Sequence, residues 1–201
     1  SNFNNAGGTS LGASSLISVS SSGDLSNYNL NNVSLVLTAA STLPDSTGDL
    51  PDSINANSHT VTVASSVDVS NVVLTQQGSY VVNESVILTA KAVQMTGKSV
   101  TGNGTTAITA LQSTASANLS TITTLLVTAA ATVANAETID FKGNLGKAVV
   151  TITGNNGGGD DIFDVTNATL ESASFSVDSN ALLKGSALVL SGVTVNGNGA
   201  T

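Results

Sequence analysis

The chain has 201 residues with a net charge of −8, and only 9% of them are charged and 3% aromatic, whereas a soluble domain usually carries about 25% charged residues. All five basic residues are lysines (Lys91, Lys98, Lys142, Lys147 and Lys184), so the arginine fork that grips phosphate is missing, there is no basic patch, nucleic-acid partners are excluded and anionic lipid is disfavoured. Cysteine is absent, His59 is the only histidine, and the thirteen acids form no acid–base motif, so disulfides, thiolate metal sites and Ser/His/Asp chemistry fall away and the chain reads as no enzyme.

In chain order, residues 1–30 are rich in Gly, Ser and Asn and read as an irregular cap, a linker or a strand donated to a neighbour. The polar start Ser1-Asn2-Phe3-Asn4-Asn5 is unlike an export leader, so the leader is expected to have been removed or to lie elsewhere. Residues 31–201 read as one repetitive all-β domain. Short alternating segments recur there: Ser34-Leu35-Val36-Leu37, Thr60-Val61-Thr62-Val63, Asn71-Val72-Val73-Leu74, Tyr80-Val81-Val82 and Ser85-Val86-Ile87-Leu88. Period-two alternation of β-branched residues is the signature of strands. Between the first two segments, residues 43–53 hold both prolines, a repeated Pro-Asp-Ser, and Asp45, Asp49 and Asp52. These carboxylates could converge on a hard cation, but the composition is that of a surface excursion.

Residues 99–136 carry no charge, yet Asn103, Gly104, Asn118 and many Ser and Thr residues interrupt them, so no membrane-inserting helix is expected. Their Ala content allows a short helix, and the β-branched residues from Thr121 to Val133 oppose a long one. Further strands are expected at Thr138-Ile139-Asp140-Phe141, Val149-Val150-Thr151-Ile152, Asp161-Ile162-Phe163-Asp164-Val165, Phe175-Ser176-Val177 and Ala187-Leu188-Val189-Leu190. The nearly even spacing of Ile139, Val150, Ile162, Phe175 and Leu188 favours a parallel β-solenoid (β-helix), in which stacked coils share one narrow core. The alternative is a pair of tandem immunoglobulin-like β-sandwiches, which strands at this spacing also fit. The lack of Trp argues against that alternative, because sandwiches usually bury a large aromatic between their sheets.

One loop carries a motif. In Asn156-Gly157-Gly158-Gly159-Asp160-Asp161-Ile162-Phe163-Asp164, the residues Gly157, Gly159, Asp161 and Phe163 stand where the G-G-x-G-x-D-x-U-x repeat of RTX proteins has its glycines, aspartate and apolar residue. Asn156 replaces the first glycine, and residues 165–173 do not continue the pattern. The nonapeptide resembles that secreted family. The resemblance implies Ca²⁺ held by Asp160, Asp161 and Asp164 in a turn shaped by Gly157 and Gly159, with Phe163 pointing into the core.

The bias toward Thr, Ser, Asn, Gly, Ala and Val also resembles bacterial surface-layer proteins and repetitive adhesins, although no anchoring module is recognisable. That resemblance implies an extracellular, cell-surface structural subunit that self-assembles with copies of itself into a layer or filament, with Ca²⁺ as the expected cofactor. The alternative function is an adhesive module for glycan, a host surface or ice. Glycan sites want aromatic platforms, and the chain has two Tyr and four Phe. Thr60-Val61-Thr62 has the Thr-x-Thr spacing of ice-binding faces, but such a face needs threonine ranks on every coil, and the sequence displays no such ranks. A polysaccharide-degrading β-helix enzyme would need clustered carboxylates, and these acids are scattered.

Overall fold

A computed structural model describes residues 15–19, 23–76, 78–109, 117–128, 138–154 and 161–199. The chain is a β-solenoid of about eight turns. Every strand pairing among the described residues is parallel, which sets aside the antiparallel sandwich alternative.

The first four turns run through β1 (Ser15–Val19) and β2 (Gly23–Asp24), then β3 (Val33–Leu37), β4 (Ser41–Thr42) and a 3₁₀ turn (Thr47–Asp49). They continue with β5 (Ser53–Asn55), β6 (Thr60–Val63) and β7 (Val67–Asp68), followed by β8 (Val73–Thr75), β9 (Ser79–Val82) and β10 (Ile87–Lys91). The one-turn helix α1 (Ala92–Met95) then takes the place of a strand, ahead of β11 (Val100–Thr101) and β12 (Thr105–Thr109). The remaining strands are β13 (Thr124–Thr128), β14 (Thr138–Asp140), β15 (Val149–Thr153), β16 (Asp161–Asp164), β17 (Ser174–Val177), β18 (Ala181–Lys184) and β19 (Thr194–Gly197). They stack as four sheets, in the orders β1-β3-β5-β8, β11-β9-β6-β4-β2, β19-β17-β15-β13-β12-β10-β7 and β14-β16-β18.

Parallel stacking puts like positions of successive turns in columns. One inward column reads Leu88, Thr106, Leu125, Val150, Phe175, and all five are buried. Val61, Tyr80, Val100 and Ile122 form another, and Ile139, Phe163 and Leu183 a third. Phe141 stacks on Phe163 with ring centroids 5.9 Å apart. Each buried aliphatic or aromatic side chain contributes roughly 1.5–3 kcal/mol. The core is thin, so it is filled one residue per turn rather than by interlocking layers.

The corners reuse one local device. In Asn29-Leu30-Asn31-Asn32-Val33, Asp68-Val69-Ser70-Asn71-Val72, Asn118-Leu119-Ser120-Thr121-Ile122, Asn144-Leu145-Gly146-Lys147-Ala148 and Asp164-Val165-Thr166-Asn167-Ala168, the first side chain accepts a hydrogen bond from the amide two residues on, at 2.8–3.2 Å. The second residue is buried each time, and its carbonyl accepts from the amide of the fifth. This is the Asx-turn, in which a short polar side chain imitates the backbone of a turn.

Three expectations need correcting. The spacing of about a dozen residues in the C-terminal half marks successive sides of one turn. A full turn takes 18 residues from Leu88 to Thr106 and 25 from Leu125 to Val150. Residues 187–190 form a turn and not a strand: the Leu190 amide donates to the Ser186 carbonyl, the Ser186 hydroxyl accepts from the Val189 amide, and Leu188 is 86% exposed. Within residues 99–136, where the Ala content allows a short helix, the described residues include the strands β12 and β13.

Candidate functional site

Of the five residues expected to hold Ca²⁺, Gly157, Gly159 and Asp160 lie outside the described residues. Asp161 opens β16, is buried, and its amide donates to the Asn180 carbonyl at 3.1 Å. Phe163 points into the core at 1% exposure. Asp164 closes the strand with both carboxylate oxygens engaged: Oδ1 accepts from the Thr166 amide at 2.9 Å, and Oδ2 lies 2.8 Å from Lys184 Nζ.

The register explains that ion pair. Asp140, Asp164 and Lys184 occupy one column of β14, β16 and β18, and Lys142 pairs with Asp140 at 2.9 Å. Two carboxylates on adjacent coils would repel each other, and a lysine beside each relieves it. Burial pushes the Asp164 carboxyl up, but the Lys184 ammonium and the Thr166 hydroxyl and amide outweigh it and bring the pKa down to about 2. The Lys184 ammonium is raised by the same contact and by Asp140.

No group of three acidic or histidine side chains able to hold a metal ion forms among the described residues. Asp45, Asp49 and Asp52 do not converge either. Asp45 Oδ1 accepts from the Ser65 hydroxyl at 2.9 Å, and Thr47–Asp49 form the 3₁₀ turn capped by Ser46.

The most regular surface is the outward side of the seven-stranded sheet. Alternate residues of its strands form one column of Ile87, Thr105, Thr124, Val149, Ser174 and Thr194, and a second of Asp68, Thr89, Ala107, Leu126, Thr151, Ser176 and Asn196, of which Ala107 is buried. A third holds Lys91, Thr109 and Thr153, with Thr128 in backbone register between the last two. From β12 to β19 these columns contain no charged residue. The second side carries a shorter outward array of Thr60 and Thr62 on β6, Ser79 and Val81 on β9, and Thr101 on β11.

No family model, curated protein or solved structure matches this chain.

Of the described aromatic side chains, Tyr80, Phe141, Phe163 and Phe175 are buried in the core, and Tyr28 alone is partly exposed. No helix among the described residues is long and apolar enough to cross a membrane. The threonine columns escape a reading of the sequence because their members lie 18–25 residues apart at uneven intervals. No Asx corner directly precedes Thr105, and the Asn118 and Asn144 corners stand six and five residues before Thr124 and Val149, so the corners do not align the columns either.

Proposed function

We propose that this chain is a non-catalytic structural module of an extracellular surface layer or filament, and that it self-associates by stacking solenoid ends. The observation supporting this reading is the state of the last coil. Val195 continues the inward column of Leu125, Val150 and Phe175, which are 1% exposed or less, yet it is only partly buried. Val189, Leu190 and Val193 are likewise partly buried, Leu188 is 86% exposed, and β19 pairs with β17 alone among the described residues. A coil end with apolar residues and unpaired strand amides calls for a polar cap or a further coil. That further coil comes either from a longer chain or from the end of a second copy. The low charge of the chain weakens the repulsion that would oppose this contact.

Sedimentation velocity over a wide concentration range, in EDTA and in Ca²⁺, tests the reading. Oligomers that grow with concentration, and that Val195→Lys converts to monomers, are the expected result. A monomer at every concentration in both buffers would overturn it. The comparison of the two buffers also tests the calcium dependence that the RTX resemblance implies.

A further inference from the structure

Three properties of the outward side of the seven-stranded sheet point to one kind of ligand. The first is its chemistry. Threonine, serine, alanine, valine, leucine and asparagine fill the columns from β12 to β19, while Asp68 and Lys91 stand only in the earlier rows.

The second is the state of its hydroxyls. Among the described residues, those of Thr89, Thr105, Thr124, Thr151, Thr153, Ser174 and Ser176 make no hydrogen bond, and Thr109, which donates to the Ala90 carbonyl at 3.3 Å, is the exception. The second side of the solenoid behaves differently. There Thr60 pairs with Ser79, and Thr101, Thr121 and Thr123 donate to the carbonyls of Tyr80, Lys98 and Val100 on the preceding turn. Thr62 apart, the second side thus engages its hydroxyls among the described residues, whereas the first leaves most of its own available to an outside partner.

The third is the repeat. Parallel strands in register place equivalent side chains about 4.8 Å apart along the solenoid and about 6.7 Å apart along each strand. The result is a two-dimensional array of hydroxyl and methyl groups with almost no charge. A peptide strand would need a sheet edge, and an acidic or basic partner would need countercharge. A sugar would favour a ring platform, which these columns lack. A repeating, shallow, neutral array matches a partner that is itself a repeating array of hydrogen-bonding groups.

We infer that the outward face of this sheet binds ice. The methyl groups of the columns hold the adjacent water in ordered cages, and the free hydroxyls join that water to the crystal. The inference is independent of the end-stacking reading, because it uses the side of the solenoid and not its ends.

The test is thermal hysteresis and ice-crystal shaping by the full chain, with recrystallisation inhibition as a second readout. Thr124→Tyr and Thr151→Tyr, which place a large ring in the middle of the array, should lose most of the hysteresis. Thr62→Tyr, on the second side, should keep it, and so should the end variant Val195→Lys. Circular dichroism confirms that each variant is folded, and Thr151→Lys replaces any tyrosine variant that is not. The inference is overturned if the wild-type chain neither shapes ice nor shows hysteresis. It is also overturned if Thr62→Tyr loses as much activity as the face variants, or if the face variants dissociate an oligomer, which would make a second copy the occupant.

Discussion

Asp164 ties the charge pattern of the C-terminal coils to stability. Its carboxyl ordinarily titrates at 3.8 and is held at about 2 in the fold. A depressed acid adds stability that is fully present above its unfolded value and is lost as the pH falls through its folded value. The melting temperature should therefore drop between about pH 4 and pH 2 as this contribution disappears. Asp164→Asn should melt lower at neutral pH and show a shallower acid limb, with the two proteins converging near pH 2. Because Lys184 is largely exposed, the difference at neutral pH should be modest, about 1 kcal/mol or less. Identical acid limbs would show that the column contributes nothing.

Two other residues give clean readouts at this scale. Tyr80 is buried and its phenol is pushed up to about 12 by the loss of solvent, so an absorbance titration of this Trp-free chain should show a tyrosine ionising at that pH. Gly102 has φ +99°, and a Cβ there would run into the Val82 carbonyl oxygen of the preceding turn. Gly102→Ala should cost about 1–3 kcal/mol in a urea melt. Gly48→Ala, where the nearest atom lies at 3.7 Å, should be close to neutral.

At the scale of elements, what could be read from the sequence divides by the kind of signal each segment carries. The strands at Val33–Leu37, Thr60–Val63, Ser79–Val82 and Val149–Thr153 follow from alternation, because a half-buried strand needs apolar residues on one side only. β12 and β13 alternate too, but their outward residues are mostly threonine, which resembles loop composition until the inward Ile108 and Leu125 are placed in columns. Residues 187–190 misled for the opposite reason. Val189 and Leu190 pack against the end of the core from a turn that Ser186 caps, while Leu188 stays exposed. The ion pair of Asp164 with Lys184 was not legible, because it depends on register across turns. The corner turns invite a direct test. Asp68→Ala removes the acceptor of the Ser70 amide and should destabilise the fold by about 1 kcal/mol. Phe163→Ala, which opens the core beside Phe141, should cost about 3–5 kcal/mol.

For the molecule as a whole, the thin core and the repeated corner make each turn dependent on its neighbours. In such an array stability grows with the number of stacked interfaces, and the end coils are the weakest. The parallel all-β architecture was legible because small and β-branched residues recur with hardly any large aromatics. The length of the turn was hidden, because strands on different sides look alike in one dimension. The same geometry underlies both functional readings: the apolar residues of the last described coil favour growth along the axis, and the outward side of the long sheet repeats small neutral residues from β12 to β19.

Electron microscopy of the purified chain at matched concentrations, in EDTA and in Ca²⁺, tests the proposed self-assembly most directly. Ordered filaments or sheets whose axial growth Val195→Lys suppresses are the expected result. Isolated particles in both conditions, with wild type and variant indistinguishable, would contradict it.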